Sequence, residues 1–119
     1  MMGSDETFRE YLLQNPPGML MIDADTLWVG VGCLAEAFDI AKKLSLCVTA
    51  LEGFWCEKGY IVPDMEAIVC GFQFSGSWGD IVEENARQIR PFAEILKENK
   101  ASFFELFLMD EHEYKSSEE

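Results

Sequence analysis

The feature that constrains the fold most is an almost unbroken run of apolar and small residues over positions 46–55. Such a run predicts a β-strand that is central in its sheet or covered on both faces. Glu57-Lys58-Gly59 follows and predicts a hairpin turn, because Gly59 can adopt the positive φ that tight turns require. Residues 60–62 then predict the returning strand, whose hydrogen-bond ladder we expect Pro63 to interrupt, because proline has no amide hydrogen.

Three helices are predicted from apolar residues at helical spacing. The first opens at Ser4, the second covers residues 34–44, and the third runs from an Asp80 cap to Asn99. Pro91 should bend or split the third helix, because its ring clashes with the preceding turn. Further strands are predicted over residues 19–23, 26–30, 66–74 and 102–109.

The order of these elements favours an α+β fold, in which two or three helices pack on one face of an antiparallel sheet. The chain has 119 residues, which suits one domain, and no internal repeat or linker divides it. We place that single domain at residues 1–109. Asp, Glu, Lys and Ser dominate residues 110–119, which are predicted to form an acidic flexible tail.

The chain carries 22 acidic and 9 basic residues, a formal net charge of −13. That charge disfavours binding to nucleic acid or to anionic membranes, because both interactions depend on Lys and Arg. It favours a basic protein partner, which an acidic surface attracts over long range. Solubility alone explains the charge equally well. No apolar stretch is long enough to span a membrane and residues 1–10 lack a signal-peptide pattern, so we expect a cytoplasmic protein.

Cysteine and histidine are too scattered to predict a metal site or a cofactor. Cys33, Cys47, Cys56 and Cys70 form no C-x-x-C pair, and each lies in an apolar stretch, which predicts buried and reduced thiols. His112, the only histidine, lies in the predicted tail, where it is poorly placed to activate a cysteine or serine nucleophile. We therefore expect no catalytic residues, no metal and no cofactor.

The predicted hairpin interleaves aromatic and acidic side chains. Trp and Tyr are common anchors of protein interfaces, and carboxylates beside them match a basic partner surface. The alternative is that the aromatic rings pack within the sheet or the core. The candidate partner-binding residues are Glu52, Trp55, Glu57, Tyr60, Asp64 and Glu66.

The sequence around this hairpin has a recognisable pattern. A helix ending in Lys42-Lys43 precedes a strand, which continues through Leu51-Glu52-Gly53-Phe54-Trp55 and returns at Tyr60-Ile61 after a turn through Gly59. Together with the helix around Glu84-Asn85-Ala86 and the strand over residues 103–108, this pattern resembles the immunity proteins of tRNA-cleaving E-type colicins. The resemblance covers roughly residues 34–109.

The resemblance implies an α+β inhibitor of a basic bacterial ribonuclease toxin. Such an inhibitor is acidic because its target is built to hold RNA: carboxylates replace phosphates, and aromatic rings replace stacked bases. It also implies that Glu52, Trp55, Glu57 and Tyr60 belong to the contact region.

Two other hypotheses stay open at this point. One is an interaction module with an unidentified partner, which includes a homodimer formed through an exposed strand edge. The other is a small enzyme that uses two carboxylates of perturbed pKa in a deep pocket.

Overall fold

The computed structural model describes residues 4–14, 20–23 and 26–117 of the chain. Five strands are present there: β1 Leu20–Asp23, β2 Thr26–Gly30, β3 Cys47–Glu57, β4 Tyr60–Val69 and β5 Phe103–Met109. They form one antiparallel sheet in the order β1-β2-β5-β3-β4. The last strand in the sequence therefore lies in the middle of the sheet.

The helices are α1 Ser4–Gln14, α2 Leu34–Lys43, α3 Trp78–Ile89, α4 Phe92–Ile95 and α5 Glu111–Ser117, with short 3-10 turns at Val31–Cys33 and Leu96–Glu98. Pro91 splits the predicted third helix as expected, because α3 ends before it and α4 begins after it.

The main hydrophobic core lies between the first four helices and one face of the sheet. Along β5, Phe104, Leu106 and Leu108 point to this face, since side chains alternate along a strand. They pack with buried residues of the helices, such as Leu34 in α2 and Ile89 in α3. The predicted α+β fold with an antiparallel sheet is confirmed.

Gly53 is required by the close approach of β3 to this core. A Cβ atom at position 53 would lie 2.7 Å from the Cβ atoms of both Ala67 and Ala101 and 2.8 Å from Cε1 of Phe104. These distances are shorter than van der Waals contact, so any larger side chain at position 53 must push β3 away from β4, from β5 or from the loop before β5.

The strand predicted over residues 66–74 is wrong beyond Val69, where β4 ends. Gly71 has a φ of +85°, a left-handed conformation that turns the chain away from the sheet. The helix that follows is capped by Ser77 and not by Asp80: the Ser77 hydroxyl accepts a hydrogen bond from the Asp80 amide at 3.3 Å.

Pro63 lies inside β4, opposite Phe54, so the predicted interruption of the ladder is also wrong. β4 is the edge strand of the sheet in the described part of the chain. Counting from the closing pair of the hairpin, hydrogen-bonded and non-hydrogen-bonded pairs alternate, and Pro63 falls at a pair that needs no amide donor.

Residues 111–117 form α5 where the sequence predicts a flexible tail. The reason is a capping box that composition alone hides: Oδ1 of Asp110 accepts from the Glu113 amide at 2.7 Å, and Oε1 of Glu113 accepts from the Asp110 amide at 3.2 Å. The Tyr114 ring also packs against the Trp78 ring, with centroids 5.7 Å apart, which joins α5 to the start of α3.

The four cysteines differ in exposure. Cys33 and Cys47 are buried, as predicted, whereas Cys56 and Cys70 are exposed, which corrects the prediction for those two. Burial raises the pKa of the Cys47 thiol to about 12. Cys56 is exposed because it lies near the end of the hairpin, and Cys70 because β4 has ended one residue before it.

Candidate partner-binding surface

The hairpin formed by β3 and β4 closes with a two-residue turn. Lys58 and Gly59 have φ angles of +50° and +83°, as in the type I′ turns that match strand twist, and they bring Glu57 opposite Tyr60. Further along, Gly53 pairs with Asp64 whereas its neighbour Glu52 pairs with Ile68. The intervening residues of β4 form a large bulge without partners on β3.

The exposed apolar side chains concentrate on β4. Six large apolar residues are exposed in the described part of the chain, and four of them lie on this edge strand: Tyr60, Ile61, Met65 and Ile68. Tyr60 and Met65 each keep 74% of their surface accessible. A soluble domain rarely concentrates apolar surface in this way unless another molecule covers it.

Asp64 is not available to a partner, although the sequence suggests it. Its side chain is only 6% exposed because it anchors the bulge. Oδ1 accepts a hydrogen bond from the Glu66 amide at 3.1 Å, and Oδ2 accepts one from the Ala101 amide at 3.0 Å. Asp64 therefore fixes the shape of the surface and does not belong to it.

Trp55 is half-buried, and a cation of the same chain already covers its ring. The ammonium of Lys100 lies 4.2 Å from the ring centroid, a cation–π contact. The indole Nε1 is buried and has no acceptor in the described part of the chain. Of the predicted residues, the exposed ones are therefore Glu57, Tyr60 and Glu66.

Glu52 is half-buried and lies on the opposite side of the hairpin from Trp55, Glu57 and Tyr60. Three alternate residues of β3, Gly53, Trp55 and Glu57, point to the side of the helices, so Glu52 and Phe54 point away from them. The hairpin thus brings the predicted residues together in one segment but divides them between two faces.

The acidic groups of the hairpin differ from those of the helices in their partners. Glu52, Glu57 and Glu66 take part in no ion pair within the described residues. On the helices, basic side chains neutralise acidic ones in the pairs Lys42–Glu83, Arg87–Glu84, Arg90–Asp39 and Lys97–Glu94. The hairpin therefore presents carboxylates that no ion pair within the described residues neutralises.

Two open grooves lie elsewhere on the surface. One of about 570 Å³ separates α2 from α3 and contains the Arg87–Glu84 and Arg90–Asp39 pairs. The other, of about 600 Å³, lies between the Phe74–Trp78 segment and α5. Hydrogen bonds from Arg87 and Gln88 lower the pKa of Glu84, whereas a carboxylic acid that donates a proton needs a raised pKa. Neither groove favours the hypothesis of a carboxylate enzyme.

Sequence reasoning missed Ile61, Met65 and Ile68 as surface candidates. The alternation of side chains along residues 60–69 indicates that some apolar residues face outward, but their exposure depends on β4 being the edge strand.

No protein-family model matches the chain, and no curated protein matches it significantly. Within residues 4–14, 20–23 and 26–117, no helix is long and apolar enough to cross a membrane. The same residues contain no group of three or more His, Cys, Asp or Glu side chains that could hold a metal ion.

Proposed function

We propose that this chain is an immunity-like binding protein that neutralises a basic bacterial ribonuclease toxin. In this proposal the β3–β4 hairpin covers the RNA-binding surface of the enzyme. The observation that carries it is the coincidence, on one hairpin, of carboxylates that form no ion pair within the described residues with four exposed apolar side chains. The resemblance to colicin immunity proteins involves the same segment.

The chemistry of the hairpin suits such a target. A ribonuclease holds RNA with Lys and Arg, which contact phosphates, and with surfaces on which bases stack. Glu57 and Glu66 offer exposed negative charge in place of phosphates, and the Tyr60 ring between them in sequence offers a stacking surface. Long-range attraction between the net charge of −13 and a basic enzyme also accelerates their encounter.

The hairpin is also preorganised for binding. Its turn residues adopt the conformation that the strand twist requires, and Asp64 ties the bulge to the loop before β5. A surface that is already ordered loses less conformational entropy when a partner binds. This rigidity favours tight binding.

A homodimer is the second candidate, because the outer edge of β4 has no neighbouring strand in the described part of the chain. Pro63 removes one outward amide donor and the bulge at residues 65–67 breaks the edge, so few hydrogen bonds are left for a second strand. Two copies would also bring together the glutamates of their hairpins, which form no ion pairs within the described residues. A molar mass in light scattering that stays at the monomer value at all concentrations would exclude the dimer.

We place this function in the cytoplasm. The four cysteines that the structure describes are free thiols, two of them exposed, and such thiols persist in a reducing compartment.

The proposal is tested by adding the purified chain to a set of basic bacterial ribonuclease domains and following tRNA cleavage. We expect at least one enzyme to be inhibited stoichiometrically, with an association rate that falls as salt rises. Glu57→Lys should slow association, whereas Glu98→Lys, the same charge change on the 3-10 turn after α4, should have little effect. The proposal fails if no enzyme is inhibited or if both variants behave alike.

A further inference from the structure

The helix side of the hairpin tip carries a contact between an aromatic ring and a cation of the same chain. β5 pairs with β3 only as far as Phe54, whereas β3 continues to Glu57. Beyond Phe54, the loop before β5 reaches the hairpin instead: the ammonium of Lys100 in this loop lies 4.2 Å from the centroid of the Trp55 ring. The face of this ring is therefore a surface on which a cation binds.

The backbone around Lys100 is anchored, whereas its side chain is not. The Ser102 amide donates a hydrogen bond to the Phe54 carbonyl at 2.8 Å. The Ala101 amide donates one to Oδ2 of Asp64 at 3.0 Å. Lys100 itself is exposed and takes part in no ion pair within the described residues. Its ammonium can therefore leave the ring while the fold stays unchanged, because only a flexible four-carbon side chain has to move.

The contact with Lys100 leaves the groups around it incompletely satisfied. The indole Nε1 of Trp55 is buried and has no acceptor in the described residues, although a buried indole donor usually has one. Glu57 follows on the same side of β3, and its exposed carboxylate forms no ion pair within those residues. Tyr60, opposite Glu57, adds a further aromatic ring on this side. A ring that binds cations thus lies beside a carboxylate without a partner cation.

We propose that a guanidinium of a basic protein partner displaces Lys100 from the Trp55 ring and pairs with Glu57. Lys100 is then an internal competitor that occupies the contact face of the free protein. This inference rests on the proposed function and names the side of the hairpin that the ribonuclease contacts. Arginine displaces the lysine because its planar guanidinium stacks on the indole and still donates two hydrogen bonds to a carboxylate.

Charge selects a basic protein over a second copy of the chain as the occupant. A second copy has a net charge of −13 and would bring another Glu57 against this one, which electrostatics oppose. A basic partner instead supplies a cation for the Glu57 carboxylate, and water hydrates the displaced ammonium of Lys100. Tyr60, with 74% of its surface accessible, supplies aromatic contact area beside the guanidinium.

The test uses a blocked peptide of alternating arginine and glycine, with a lysine peptide of the same pattern as its counterpart. In NMR spectra of the free protein, the ring current of Trp55 should shift the ε-methylene signals of Lys100 away from those of an exposed lysine. Saturation with the arginine peptide should return these signals to the position of an exposed lysine and move the indole N–H signal of Trp55. The lysine peptide should bind more weakly, because an ammonium cannot stack on the ring.

Titrations with the arginine peptide measure the competition. Lys100→Gln should bind the peptide about two- to fivefold more tightly than the wild type, because the ring no longer has to lose an internal cation. Lys58→Gln is the matched control, since it removes the same charge from the turn of the same hairpin. Its affinity should differ from that of the wild type by less than about twofold.

The inference is overturned if the Lys100 signals stay unchanged at saturation, if the two variants gain affinity equally, or if the two peptides bind equally well. It also fails if the Lys100 signals move with protein concentration alone, which would make a second copy the occupant.

The ribonuclease assay separates this failure from failure of the proposed function. An enzyme inhibited with equal affinity by the wild type and by Lys100→Gln supports the inhibitor but not the displacement of Lys100. Displacement of Lys100 by the arginine peptide without inhibition of any ribonuclease supports the contact face and refutes the inhibitor.

Discussion

The side chain of Asn85 in α3 makes with the backbone of Val48 in β3 the two hydrogen bonds that a neighbouring strand would otherwise make. Its Oδ1 accepts a hydrogen bond from the Val48 amide at 2.8 Å, and its Nδ2 donates one to the Val48 carbonyl at 2.9 Å. β4 pairs with β3 only as far back as Leu51, so Val48 has no strand on that side. The side-chain amide, 2% exposed, replaces the missing strand and fixes α3 against the sheet.

Replacing Asn85 with Asp should lower the free energy of unfolding by about 3 kcal/mol, because a carboxylate cannot donate to the Val48 carbonyl and its charge would be buried. Urea unfolding measures the loss. Gln73→Glu makes the same chemical change at an exposed position of the loop between β4 and α3 and should cost less than about 0.5 kcal/mol. Equal losses in the two variants would contradict the role given to Asn85.

Replacing Gly53 with Ala should destabilise the fold by about 2 to 3 kcal/mol, because the new methyl group overlaps Ala67, Ala101 and Phe104. Thermal or urea unfolding measures the change. Gly79→Ala is the control: no atom lies within 4 Å of a Cβ there, and alanine favours the helix, so stability should rise by up to about 1 kcal/mol. A tolerated Gly53→Ala would show that β3 and the loop before β5 can separate.

Thiol reagents should distinguish the cysteines. Cys56 and Cys70 are exposed and should react rapidly, whereas the buried Cys33 and Cys47 should react only on unfolding. The raised pKa of Cys47 means that its thiolate forms more easily in the unfolded chain, so stability should fall as pH rises from about 9 towards about 12. Cys47→Ala should make this fall less steep, by up to about 1.4 kcal/mol per pH unit. An unchanged slope would contradict the burial of that thiol.

Local chemistry made much of this fold predictable, and long-range pairing made the rest unpredictable. The turn at Lys58-Gly59 and the split at Pro91 follow from the φ preferences and missing donors of single residues. The end of β4 at Val69 does not, because α3 competes for the edge of β3 there through Asn85. The residues after Val69 still have a strand-like composition, but the edge of β3 that they would pair with is bonded to Asn85 instead.

The candidate surface shows the same division. The acidic and aromatic character of the hairpin is visible in the sequence, and Glu57, Tyr60 and Glu66 are accessible. Nothing in the sequence distinguishes Asp64 from them, yet its carboxylate accepts a hydrogen bond from the Ala101 amide, a contact between residues far apart in the chain.

The position of β5 between β2 and β3 has a consequence for biosynthesis. Until the ribosome releases residues 103–109, the strands made earlier form two separate hairpins that share no edge. Insertion of β5 then joins them in one step and completes the hydrophobic core. The β3–β4 hairpin proposed for recognition therefore gains the neighbouring strand that supports it only when β5 is in place.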